Sequence, residues 1–210
     1  DRNSGPSQIE ESYRNYYNVL RIAESKAWAT PIFHGELAAF RRDLLMSING
    51  FPTDIGADDS HTATRIALMG YRAITPDNLW CTEIVPRKNY HSWRIRRAQH
   101  LIQHFINILL KTLKLNSKVS RSFKLVLLVE IFLHTINPWM LIVVIAFLLI
   151  LMSSITTAVM KFLLILMCGL GLMLLVPTPC RTWIMTQIYL VVASLKNLYT
   201  RELIWKKIKK

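Results

Sequence analysis

The stretch FKLVLLVEIFLHTINPWMLIVVIAFLLILM, Phe123 to Met152, decides how the chain is to be read. Its 30 residues would make a helix of about 45 Å, longer than the ~30 Å hydrocarbon core of a bilayer requires. Glu130, His134 and Asn137 lie in its first half, and Pro138 stands at its midpoint. The spacing predicts a polar-faced, partly interfacial lead-in up to Asn137, then a membrane span over about 137–152. A residue preceding proline resists helical geometry, so a kink is expected at Asn137-Pro138. Glu130 and His134 stand at i and i+4 and share a helical face, either lining a lipid or polymer path or facing another helix.

Working outward, a second span is expected over about 157–176, closed by Pro177-Thr178-Pro179, and a third apolar helix over about 183–199. The third is either a tilted span or an interfacial helix. The chain of 210 residues is 52% hydrophobic yet carries 26 Lys and Arg against 13 Asp and Glu. That paradox resolves at residue 120. Residues 1–120 hold 16 basic and 11 acidic side chains, whereas 121–210 hold 10 basic and two acidic ones, Glu130 and Glu202. A soluble domain this apolar would expose large patches, and a disordered chain would lack its aliphatic and aromatic content. The composition is that of a small polar domain joined to a multi-pass membrane anchor.

Nine Lys or Arg residues lie from Arg87 to Arg121 with no acidic residue among them, and the chain ends KKIKK. Both clusters are expected on the cytoplasmic side of a cell membrane, which requires an even number of crossings, two or four. In residues 93–120, Ile95, Ala98, Ile102, Phe105, Leu109 and Leu113 recur at steps of three or four among basic and polar residues. That pattern predicts an amphipathic helix lying in the headgroup plane, against membrane lipids. The net charge of +13 does not by itself imply a nucleic acid partner, because the basic residues cluster at membrane borders without interleaved aromatics. Cys81, Cys168 and Cys180 show no paired spacing, so neither a disulfide framework nor a zinc site is expected.

The polar half, residues 1–92, mixes helix and strand signals. A helix is expected over 8–29, with Tyr13, Tyr16, Tyr17, Leu20, Ile22 and Ala23 on its apolar side. Pro31 to Phe40 alternates weakly around Gly35, which suggests a strand or a close backbone approach. A helix starts at Arg41-Arg42, Asn49-Gly50-Phe51-Pro52 is a turn, and a helix from about His61 to Met69 ends at Gly70. Tyr71–Ile74 and Trp80–Val85 read as short strands. Taken alone, Asp58-Asp59 is an acidic pair that caps a helix start. No GxGxxG or GxxxxGK[ST] is present.

The order of these pieces carries more than any one of them. HGELAAFRR (His34–Arg42), NGF (Asn49–Phe51), ADDSHTATR (Ala57–Arg65) and GYR (Gly70–Arg72) follow one another, with Arg65 six and Gly70 eleven residues after Asp59. Over roughly residues 10–105 this series resembles the inverting glycosyltransferases of family 2, whose membrane-bound members follow such a block with an interfacial helix and spanning helices. The resemblance implies an α/β fold, the C-terminal portion of a GT-A domain. It implies a hexosyltransferase that moves a sugar from a nucleotide-sugar donor to a membrane-associated glycan or lipid acceptor, with inversion. Asp59 would be the general base and Asp58 would replace the usual Glu.

Arg94, Arg96 and Arg97 would meet the leaving diphosphate or, alternatively, anionic lipid. His34, Gly35 and Trp93 would line the substrate site. The family's Gln-x-x-Arg-Trp is replaced here by HSWRIRRAQH (His91–His100), which speaks against a processive synthase. The family's DxD, which holds Mg2+ or Mn2+ on the donor diphosphate, lies upstream of the matching block. The chain is therefore expected to be part of a longer enzyme whose N-terminal half is missing, and to be inactive alone. The main ligands of the divalent cation would be off this chain, and none of its own residues is assigned to the metal. The competing expectation is a non-catalytic scaffold derived from such an enzyme.

Overall fold

The computed structural model describes residues 5–33, 35–78, 86, 88–112, 119–155, 157–173 and 176–200. Helix α1 (Gly5–Ala27) opens the chain. Its buried stripe is polar: Glu10, Arg21, Glu24 and Ser25 face inward while Tyr16 and Val19 are exposed. Of the apolar side read from the sequence, Tyr16 is exposed, whereas Tyr13 and Tyr17 pack against Arg94 and His134. The last carbonyls of α1 are satisfied by Arg72, whose Nη2 donates to Ser25 O at 2.6 Å and whose Nε donates to Trp28 O at 2.9 Å.

Helix α2 (Arg42–Ser47) leads to a turn in which Asn49 and Gly50 both have positive φ, 64° and 80°. Helix α3 (Asp58–Leu68) follows, with Ala57 at its N-cap, so Asp58 and Asp59 are its first two residues. Small side chains let α3 sit deep: Ala63, Ala67, Thr62 and Thr64 are all buried. Gly70, at φ 96°, turns the chain out after the helix.

The expected α/β class is overturned: no strand occurs among the described residues, which are helical with extended connections. The physical reason lies in where the backbone groups of the extended segments bond. Thr30 N donates to Ala73 O at 2.9 Å, a single link rather than a ladder. Phe33 N donates instead to the Ser60 hydroxyl at 3.0 Å. Alternating sequence makes these segments extended, but a strand requires a neighbour that exchanges bonds with it. The expected strand Trp80–Val85 lies outside the described residues.

Helix α4 (Tyr90–Thr112) is covered by protein on more than one face. Ile102, Phe105 and Ile108 are buried, and so are Arg94, Arg96, Gln99, His100 and His104. Its apolar stripe packs onto α5 (Arg121–Ile131) and α8 (Thr178–Tyr199). Phe123, Leu127 and Ile131 of α5, at i, i+4 and i+8, join Phe105 and Ile108 of α4 and Ala63 and Ala67 of α3 in the main core. Fully burying each large apolar side chain there is worth roughly 1.5–3 kcal/mol. A smaller cluster of Ile102, Leu190 and Ala193 fixes α8 on α4, helped by Gln103 Nε2 donating to Asn197 Oδ1 at 2.9 Å.

From α5 the chain continues through a π-helical turn, Phe132–Ile136, into α6 (Asn137–Ser154). The widened turn stands directly before Pro138, whose ring would collide with the carbonyl four residues back in a regular helix. Arg121–Ser154 is one 34-residue helical run, long and apolar enough to cross a membrane. Helix α7 (Ala158–Met173) follows and has no buried residue.

Candidate functional site

Ser60 organises the site. Its hydroxyl accepts from Phe33 N at 3.0 Å and donates to Phe33 O at 3.3 Å, and the Thr64 hydroxyl donates to Pro31 O at 3.1 Å. These bonds staple the 31–36 connection onto α3 and bring Gly35 over Asp59. A Cβ at Gly35 would stand 3.3 Å from Asp59 Oδ2, so glycine is required there for a close approach. Asp59 Oδ1 accepts from Ser60 N at 2.7 Å. Burial raises the Asp59 carboxyl above the usual range and the neighbouring Asp58 adds to the rise, while the Ser60 N–H and Arg97 oppose it.

A cavity of about 600 Å³ opens in front of Asp59. One part of its wall comes from Gly35, Phe40, Phe51 and residues 56–60, and the other from α1, α4, the π turn and α8. Gly56 lies flat against His100 of α4: a Cβ there would fall 2.4 Å from three atoms of that ring. This contact sets the distance between the Asp58-Asp59 turn and α4.

The α4 residues facing the cavity are Arg94, Arg97, Ala98 and Leu101, at i, i+3, i+4 and i+7, with His100 beside them. Arg97 lies over the Trp93 ring, 4.8 Å from its centroid, and its Nη1 stands 3.9 Å from Glu36 Oε1. Arg94 is held more tightly. Its Nη1 meets Glu10 Oε2 at 3.2 Å, and its guanidinium lies 4.0 Å from the Tyr13 centroid and 5.6 Å from that of Tyr189. Glu10 also accepts from Tyr90 Oη at 3.2 Å and from Arg14 Nε at 3.1 Å.

Of the residues singled out from the sequence, the structure gathers Asp58, Asp59, Gly35, Arg94 and Arg97 around one cavity. Trp93 is buried and serves as the platform under Arg97 without belonging to the wall. Arg96 is buried away from the cavity, on another face of α4. His34 lies outside the described residues. His134, read from the sequence as either lining a path or facing another helix, lines the cavity, and sequence reasoning missed Tyr13 and Arg21 of α1, Gly56, His100 and the α8 residues Thr186 and Tyr189, which line it too. Only Gly56, next to the acidic pair, carried a local signal; the others are brought in by tertiary packing.

Among solved structures, the mannosyltransferase PcManGT from Pyrobaculum calidifontis, in complex with GDP-Man and Mn2+, shares this fold. The two are 51% identical, with a TM-score of 0.78. The match covers 90% of this chain. It covers 52% of that one, so the chain spans about half the length of its structural relative. No family model and no curated protein matches the chain.

Among the described residues no group of three or more His, Cys, Asp or Glu is arranged to hold a metal ion. Asp58 and Asp59 alone are too few ligands for Mn2+. The residues described here do not by themselves make the divalent cation's site.

Proposed function

We propose that this chain supplies the acceptor side of a membrane-bound inverting glycosyltransferase of family 2 that uses a nucleoside diphosphate sugar, GDP-mannose in the first instance. The observation that carries the reading is Asp59. A carboxylate with one oxygen tied to a backbone N–H and a raised pKa stands at the wall of a cavity lined by arginines, in a chain half-identical to a mannosyltransferase.

The chemistry follows from that placement. An acceptor hydroxyl gives its proton to Asp59 while its oxygen forms a bond to the anomeric carbon. The bond from that carbon to the diphosphate breaks on the opposite face, and the electron pair leaves with the diphosphate. Oδ1 is engaged by Ser60, so Oδ2, beneath Gly35, is the oxygen that takes the proton. Burial makes the carboxylate a stronger base than an exposed aspartate. Asp58 reinforces the rise and, being exposed, faces substrate at the mouth. Arg97 offers charge-assisted donors where negative charge accumulates, oriented by Trp93. Arg94, held by Glu10 and two tyrosine rings, acts by shaping the wall. Donor recognition and the divalent cation, found with GDP-Man in PcManGT, belong in this proposal to the longer protein, and no step here passes through the ion.

The acceptor is proposed to be a membrane-associated glycan or lipid. Thr186 and Tyr189 of α8 and His134 of the Arg121–Ser154 run form part of the same cavity wall, so the site opens beside the segments proposed to enter the bilayer. In this arrangement α6 crosses and α7 returns the chain, leaving the polar half and the C-terminus on the cytoplasmic side.

The test is transfer from GDP-mannose by the full-length protein in membranes, with and without Asp59→Asn. Transfer by the wild type and its loss in a variant that still folds and inserts supports the reading. Unchanged turnover in Asp59→Asn overturns it.

A further inference from the structure

The i,i+4 pair Glu130 and His134 is not used by the chemistry above, yet it joins the cavity to the deepest polar cluster of the molecule. His134 Nδ1 stands 2.8 Å from the Glu130 carbonyl oxygen and 3.1 Å from its carboxylate Oε2. Both neighbours are acceptors, so Nδ1 carries a proton and Nε2 is the ring nitrogen turned away from them. Nε2 makes no hydrogen bond among the described residues, and His134 lines the cavity. The ring itself is clamped, with the Phe105 centroid 5.0 Å and the Tyr17 centroid 6.4 Å away.

Behind the pair stands Glu24 of α1. Its carboxyl lies in the electrostatic field of Glu130, and its Oε2 accepts from the Thr30 hydroxyl at 2.7 Å. Burial, and then the charge of Glu130, raise Glu24 well above the ordinary carboxyl range, so Glu24 holds the proton that two adjoining carboxyls must share. The row Thr30–Glu24–Glu130–His134 therefore runs from the α1 terminus through α5 to the cavity.

We propose that His134 is a positioning residue for a sugar-bearing acceptor: its Nε2 accepts a hydrogen bond from an acceptor hydroxyl, with Glu130 fixing the imidazole tautomer and Tyr13 and Tyr189 flanking the sugar ring. The proposal rests on the glycosyltransferase reading and names the acceptor's recognised end as its hydroxylated ring rather than a phosphate. A carboxylate behind Nδ1–H makes Nε2 a better acceptor, as it does wherever histidine is paired in this way. The two tyrosines already stack on the Arg94 guanidinium, which leaves their positions fixed before substrate arrives.

The experiment uses the full-length protein in nanodiscs, with hexyl mannoside as the hydroxyl probe and hexyl phosphate as the anion probe. Equilibrium binding of each is measured without donor, then transfer from GDP-mannose to hexyl mannoside. His134→Ala is expected to weaken hexyl mannoside binding roughly fivefold to tenfold, as loss of one neutral hydrogen bond does. Its KM for hexyl mannoside should rise with it, with kcat and the KM for GDP-mannose unchanged. His134→Gln should restore most of that binding through its amide oxygen. Glu24→Gln, neutral like the protonated acid, should bind as wild type does, whereas Glu130→Gln should not.

Unchanged hexyl mannoside binding in His134→Ala overturns the proposal, as does a fall in kcat with no change in acceptor affinity. A loss confined to hexyl phosphate overturns it in favour of an anion site. Absence of transfer by the wild type, with the binding pattern intact, removes the donor assignment and leaves the hydroxyl site standing.

Discussion

Residues 5–131 and residues 137–173 invert each other's solvent logic. In the first, charged groups go inside: Glu10 is 2% exposed, Arg21 3% and Arg94 6%. In the second, apolar groups go outside: Val143 is 66% exposed, Phe147 65% and Met167 69%. The first region answers desolvation with partners, giving Glu10 three donors and Arg94 a carboxylate between two rings. The second needs none, because a helix satisfies its own backbone and, under the proposed membrane reading, lipid would meet these apolar side chains. On that proposal an aqueous and a hydrocarbon environment together account for a composition that looked contradictory.

The largest effect is expected where the cavity does chemistry. Asp59→Asn keeps the Ser60 N–H bonded to an amide oxygen but removes the proton acceptor, and transfer should fall by about 10²–10⁴-fold. Membrane retention and melting temperature should hold. Because the carboxyl is raised, the wild-type enzyme should lose kcat on the acid side as Asp59 becomes protonated, with the limb displaced upward from that of an ordinary Asp. A limb at the ordinary aspartate position would show that burial does not act on the reacting carboxylate.

Next comes the buried pair that typifies the first region. Glu10→Ala strands Arg94 without its carboxylate, and unfolding stability should drop by about 3–5 kcal/mol. Replacing both, Glu10→Leu with Arg94→Met, should recover most of that loss. If the double replacement is no better than the single one, the pair contributes more than mutual compensation, and the shape of the cavity wall depends on it.

The third prediction tests the other region directly. Val143→Arg on α6 puts a charge on an exposed surface, which costs almost nothing in water but about 2.5–3.5 kcal/mol at the centre of a spanning helix. A glycosylation-mapping assay of insertion should register the penalty. An unaffected insertion would mean that this face does not meet lipid.

These contrasts also explain how much was legible beforehand. The apolar runs, the α3 start and the motif series around Asp59 were readable because each depends on neighbours in sequence. The buried face of α1 was not: Tyr16 reads as a core residue but is exposed, whereas Glu10 is buried against Arg94 of α4 and Glu24 beside the Thr30 hydroxyl and Glu130 of α5. Strands were misread for a related reason. The 31–40 alternation is real, but Phe33 spends its backbone bonds on Ser60, 27 residues away. The α4 stripe was legible as amphipathic, whereas what covers it, α5 and α8, is decided by the tertiary fold.

The smallest change separates the two regions most cleanly, because it adds one methyl group to each. Gly56→Ala places a Cβ 2.4 Å from the His100 ring, which is buried and cannot swing away into solvent. The Asp58-Asp59 turn must then move off α4, at a cost of about 1–3 kcal/mol, and the cavity in front of Asp59 must widen with it. Melting temperature and kcat should fall together, since one displacement causes both. Gly169→Ala on α7 meets nothing within 4 Å and fills a helical glycine position, so it should be neutral or slightly stabilising, by about 0.5–1 kcal/mol. A packed interior feels a methyl group as a collision, whereas an exposed helix gains helix propensity from it. Equal responses at the two glycines would mean that Gly56 and His100 do not press against each other in the working enzyme, and that the spacing between the acidic turn and α4 is set elsewhere.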